Sequence, residues 1–67
     1  MRWTINWKGE VYSGDTDGWN ERDINNWREA LVEFTYLNDE GVECYITDNE
    51  YGCTLYWDRN KEEAYWD

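Results

Sequence analysis

Residues 2–8, Arg-Trp-Thr-Ile-Asn-Trp-Lys, alternate without a break, with Trp3, Ile5 and Trp7 on one side and Arg2, Thr4, Asn6 and Lys8 on the other. A period of two marks a strand with one buried face. Gly9 supplies a turn, and Glu10–Ser13 predicts a second, shorter strand closed by Gly14, so that residues 1–14 form a hairpin. The period then changes. Ile24, Trp27, Leu31 and Phe34 fall at helical spacing on one stripe, Ala30 flanks them, and Arg22, Glu29, Glu33 and Tyr36 lie opposite. This predicts a helix over 20–38 that stops at Asn38 and Gly41. Alternation returns in Val42–Asp48 and Cys53–Asp58 around the turn residues Asn49 and Gly52, which predicts a second hairpin over 42–58. The tail, 59–67, reads either as a helical turn or as a short edge strand at Ala64–Trp66, with Trp66 available to bury.

The element order predicts one α+β domain over 1–67, ββαββ, with a four-stranded sheet, one helix across one face and a short C-terminal extension. Trp3, Ile5, Trp7, Val42, Ile46, Leu55 and Trp57 are expected to meet Ile24, Trp27, Leu31 and Phe34 between the layers.

At this length the same order resembles the immunoglobulin-binding domains of proteins G and L. Residues 1–16 resemble the first hairpin of the protein G domain, with Trp3 and Ile5 in its aromatic and aliphatic positions and Gly9, Gly14 and Thr16 similarly placed. Residues 38–42 are similar to the protein G loop after the helix, and 43–55 to the second protein L hairpin around Glu43, Ile46, Gly52, Thr54 and Leu55. The resemblance implies the fold. It carries over no binding residue, because the helix does not match the families' antibody-contacting positions.

Composition adds a difficulty and its remedy. A chain of 67 residues leaves little core, since such a domain buries only about 60% of its unfolded surface. Six Trp and six Tyr compensate, each able to bury roughly 150–250 Å². The net charge of −10 opposes compaction. It also disfavours direct contact with nucleic acid or anionic membranes and favours a basic partner. No apolar run approaches the length of a membrane span, and the N-terminal residues lack the apolar core of a signal peptide. A cytoplasmic location is therefore expected, in the host cell if the chain is phage-encoded.

Catalytic chemistry is poorly supplied. There is no His, and Ser13 is the one Ser, so a Ser-His-acid arrangement is excluded. Among sixteen carboxylates some pairs fall at catalytic separations by chance, and a chain this small has little room for a cleft around them. We expect no enzyme and no cofactor. Two Cys without His cannot complete a structural zinc site. Cys44 and Cys53 fall on one face of the second hairpin, near enough for a cross-strand disulfide; reduced thiols are the favoured state inside a cell. Residues 14–23, Gly-Asp-Thr-Asp-Gly-Trp-Asn-Glu-Arg-Asp, invite comparison with a calcium loop. With Gly18 at the sixth position, Ser13, Asp15 and Asp17 take the first, third and fifth, but the twelfth is Ile24, which cannot ligate. A helix start fits better, with Asn20 as N-cap, Glu21 and Asp23 at the positive end of the helix dipole, and Trp19 packing on Ile24.

The acids are also segregated. Glu29, Glu33, Asp39, Glu40, Glu43, Asp48, Glu50 and Asp58 follow one another with no Lys or Arg between them, whereas a surface selected for solubility mixes signs. Glu29, Glu33, Tyr36, Asp39, Glu40, Glu43, Asp48 and Glu50 are therefore the candidate binding residues. Carboxylates interspersed with Tyr on a rigid scaffold imitate a strip of phosphates and bases. The function expected is a non-enzymatic inhibitor that occupies the basic, nucleic-acid-binding surface of a target protein as a DNA mimic, in the manner of phage anti-CRISPR proteins. The alternative is a general protein-binding module, immunoglobulin-binding-like or a designed scaffold, that uses the helix and an edge strand.

Overall fold

The unbroken alternation at the N-terminus forms strand β1 (Trp3–Lys8), and the rest of the sheet assembles on both of its edges. The computed structural model describes residues 1–9 and 18–67. After β1 come β2 (Trp19–Ile24), α1 (Trp27–Asp39), β3 (Cys44–Asp48), β4 (Cys53–Asp58) and β5 (Glu63–Trp66). The five strands form one open antiparallel sheet in the order β2-β1-β3-β4-β5. Trp3 stands opposite Ile24 on one side and Asp48 on the other, and Ile5 stands between Arg22 and Ile46. The helix packs on one face, mainly against β1 and β3. No helix among the described residues is long and apolar enough to cross a membrane.

The core follows from two periodicities meeting. Trp3, Ile5 and Trp7 of β1, Ile24 of β2, Cys44 and Ile46 of β3 and Leu55 of β4 are buried beneath Ala30, Phe34 and Leu37 of α1. Trp27 and Val42 pack on the edge of this cluster. The buried stripe of the helix is thus Trp27, Ala30, Phe34 and Leu37, rotated from the expected Ile24, Trp27, Leu31 and Phe34. Leu31 is exposed and Ile24 belongs to a strand. Trp57 points to the helix side of the sheet but is also exposed, because β4 lies beyond the strands on which the helix mainly rests.

The helix begins later than the spacing predicts. Asn26, with extended backbone, is its N-cap, and its side-chain oxygen accepts from the Arg28 N–H at 2.8 Å. Asn20, Glu21, Asp23 and Trp19 therefore cap nothing, since they lie in β2. β2 is an edge strand, and charge at Glu21, Arg22 and Asp23 is what keeps such an edge from pairing with another chain. That same charge hides it from a hydrophobicity pattern. The expected strand at Glu10–Ser13 and the Asp15 and Asp17 carboxylates lie outside the described residues. The C-terminal end is as expected: Gly41, at φ +78°, donates to the Asn38 carbonyl and Val42 to that of Leu37, the paired bonds of a Schellman stop. The tail forms a strand, so among the described residues the sheet has five strands, where four plus an extension were expected. Trp66 of β5 stacks on Trp27, with centroids 5.8 Å apart.

Candidate functional site

Pairing in space redistributes the charge that looks segregated along the chain. Glu33 accepts from Arg22 at 2.8 Å and Glu29 lies 3.9 Å from the same guanidinium. Glu43 faces Lys8 at 3.9 Å, and Glu50 meets Arg2 at 3.0 Å. The cations come from β1, β2 and the N-terminus, sequence-distant strands that the fold brings beside the acidic half. Glu29, Glu43 and Glu50 stay well exposed within these pairs, so each contributes little to stability and remains on display. Asp39 and Glu40 are exposed at the C-terminal end of α1, which has no basic residue in its last turn. Glu29, Glu33, Tyr36 and Glu40 form one stripe along the helix, and Glu43, just before β3, turns to Lys8 on the sheet face opposite the helix.

Asp48 has a different role. Its side chain is only 4% exposed, which removes it from any docking surface. One carboxylate oxygen accepts from the Glu50 and Tyr51 N–H groups and closes the β3–β4 loop. Both oxygens accept from the Arg2 guanidinium, at 3.3 and 3.2 Å, and that guanidinium also lies over the rings of Trp3 and Tyr51, at 4.5 and 5.2 Å. The hydrogen bonds from Arg2, reinforced by the two backbone donors, hold the Asp48 carboxyl below the ordinary carboxylate range. A carboxyl depressed on folding contributes stability that is full above its unfolded pKa and is lost as pH falls through the folded one. Asp48→Asn, which keeps an oxygen for the loop, is therefore expected to destabilise the protein at neutral pH and to match the parent in strong acid. Urea midpoints across the acid range check this, and a gap that did not close with falling pH would contradict it.

The two thiols share a face but not a neighbourhood. The register sets Cys53 opposite Asp48 and Ile46 opposite Leu55, so Cys44 lies at the far end of the hairpin, about 13 Å along the strand by the usual rise per residue. That exceeds the span of a disulfide, and both cysteines are free. The expected proximity is thereby corrected. Burial pushes the Cys44 thiol up to about 11 and keeps it protonated at neutral pH. Among the described residues no three acids or cysteines gather where they could hold a metal ion.

Sequence reasoning overlooked the sheet face opposite the helix. Trp19 of β2, Tyr45 of β3, Tyr56 of β4 and Tyr65 of β5 form a continuous row across it. Successive ring centroids are 5.3, 5.6 and 5.7 Å apart. Because β1 lies between β2 and β3, the Trp19 and Tyr45 rings meet above it. Thr4 and Asn6 of β1 are buried on this face and hydrogen-bonded: Thr4 donates to Asp23 at 2.8 Å and Asn6 to Thr47 at 3.3 Å. Glu21, Asp23, Asp58 and Glu63 are among the acids of the same face. A cleft of about 560 Å³ at one end is lined by Trp19, Glu43, Tyr45, Tyr56, Asp58 and Tyr65, among others. The signal was present in the alternation, which sets Tyr45 and Tyr56 on the outward side of their strands, where bulky aromatic rings have no core to fill.

No family model, curated protein or solved structure matches this chain.

Proposed function

We propose that the protein is a non-enzymatic acidic inhibitor that occupies the basic, nucleic-acid-binding surface of a target protein, a DNA mimic of the kind phages use against host defence nucleases, anti-CRISPR proteins included. The observation that carries this reading is the placement of Asp39 and Glu40. Both stand at the negative end of α1 with no basic residue in its last turn, where each carboxylate costs the helix about 0.3–1 kcal/mol. Residues that work against their own helix are expected where a surface is kept for a partner. They extend the stripe of Glu29, Glu33 and Tyr36, and Glu43 leads it to the cleft. Association would be fast and salt-sensitive, and would compete with nucleic acid for the target.

The test is a panel of basic DNA-binding nucleases, with binding measured across ionic strength with and without competing duplex DNA. Joint reversal of Glu29, Glu40 and Glu43 to Lys, leaving Glu33 to hold Arg22, is expected to weaken binding by roughly tenfold or more with the fold intact. Binding indifferent to salt, to DNA and to the reversals would end the mimicry reading.

A second reading has its own observation. Leu31, Val32 and Tyr36 are exposed on α1 around a shallow cleft of about 420 Å³, and β5 presents an exposed sheet edge. A general protein-binding module, immunoglobulin-binding-like or a designed scaffold, would use that helix face and edge. Its affinity would depend only weakly on salt.

A further inference from the structure

We infer that the open sheet face is a docking platform for arginine side chains of an extended, Arg-rich protein segment, held by stacking on Trp19, Tyr45, Tyr56 and Tyr65 and by the carboxylates at the ends of the row. The inference rests on the reading that the partner is basic, and it names the groups of the partner that are recognised. Three observations support it. The row is continuous and accessible, with Trp19 49% and Tyr65 47% exposed at its two ends. Carboxylates stand beside both ends of the row, Glu21 two residues from Trp19 on β2, and Asp58 and Glu63 on β4 and β5. Of the cations nearby, Lys8, opposite Trp19, is already faced by Glu43 at 3.9 Å, and Arg59 lines the cleft just past Asp58, so carboxylates outnumber cations along the row. An aromatic sheet face of this kind with basic flanks would stack nucleobases, but phosphates are repelled by acidic flanks on a chain of net charge −10. A neutral ligand would leave the charges unused.

The molecule already contains the recognition chemistry once. Arg2 sits over the Trp3 and Tyr51 rings, 4.5 and 5.2 Å from their centroids, while Asp48 and Glu50 take its N–H groups. On the open face Tyr56 and Tyr65 are stacked 5.7 Å apart, with Asp58 and Glu63 opposite each other on the same two strands. A planar guanidinium stacks on a ring and bonds a carboxylate in its own plane at the same time, which a compact ammonium does not. The platform therefore prefers arginine to lysine.

The experiment titrates the full chain with two synthetic peptides, one alternating arginine with serine and one alternating lysine with serine, following Trp fluorescence and calorimetry. The arginine peptide is expected to bind more tightly, and replacing Tyr65 or Trp19 by Leu, which keeps bulk but removes the ring face, is expected to weaken it roughly tenfold. Tyr56→Phe retains binding, and Glu63→Gln weakens it with a reduced dependence on salt. Equal affinity for both peptides, or full affinity in the Tyr65→Leu and Trp19→Leu proteins, overturns the inference while leaving a basic partner in place. Binding of single-stranded DNA or a neutral oligosaccharide to the row in place of the arginine peptide overturns it too. If neither peptide binds, the inference falls, and the nuclease panel decides separately whether the inhibitory reading falls with it.

Discussion

Ile46→Ala is expected to lower the free energy of unfolding by about 2–5 kcal/mol, the range for truncating a fully buried aliphatic side chain. Ile46 is wholly inaccessible and lies in the middle of the sheet, with Ile5 opposite it on β1 and Leu55 opposite it on β4. It therefore joins the two halves of the sheet beneath the helix. A domain of this length has only about 3–10 kcal/mol of stability in total, so the lower end of that range leaves the variant substantially unfolded. Val32, 64% exposed on the same domain's helix, is the matched control, and Val32→Ala should fall within about 0.5 kcal/mol of the parent. Urea unfolding of the three proteins checks the pair, and equal midpoints for Ile46→Ala and Val32→Ala would contradict the core.

Trp3→Ala is expected to cost about 3–5 kcal/mol, and it reaches beyond packing. The Trp3 ring lies 4.5 Å from the Trp27 ring and, on another approach, 4.5 Å from the Arg2 guanidinium. Trp27 in turn stacks on Trp66, so one ring links β1, the helix and the last strand. Its removal should loosen Arg2, and with it the Asp48 carboxylate that closes the β3–β4 loop. A double-mutant cycle with Trp27→Ala separates the ring pair from simple burial: a coupling of about 0.5–1.5 kcal/mol is expected for aromatic rings in contact. Strict additivity would mean that the two indoles act independently.

How far the sequence could be read depended on what each element needed. β3 and β4 keep their most buried side chains on one face, and β1, buried on both, keeps its apolar residues on the helix side, so alternation located all three. Gly41 was legible because a Schellman stop requires a positive φ. β2 was not legible, since an edge strand survives on backbone pairing with β1 and keeps charge at Glu21, Arg22 and Asp23. Losing it shifted the helix start from Asn26 to Asn20, because both asparagines are good caps and Ile24 fits a helical stripe as readily as a strand. The expected proximity of Cys44 and Cys53 failed on register, which a loop of four residues sets and a pattern of period two leaves open. The candidate acids were found by composition, but their partners Arg2, Lys8 and Arg22 are brought in by pairings that no local pattern contains. The aromatic row needed the strand order itself, because Trp19 reaches Tyr45 only across β1.

The most direct test is a residue-by-residue map of where a basic ligand lands. Isotopically labelled protein titrated with the alternating arginine peptide would be followed by amide and indole resonances. The prediction is that Trp19, Tyr45, Tyr56 and Tyr65 shift together with Glu43 and Glu63, and that Ile46 and the buried side of α1 do not. Shifts confined to Leu31, Val32 and Tyr36 on the outer helix, with the open sheet face silent, would contradict it.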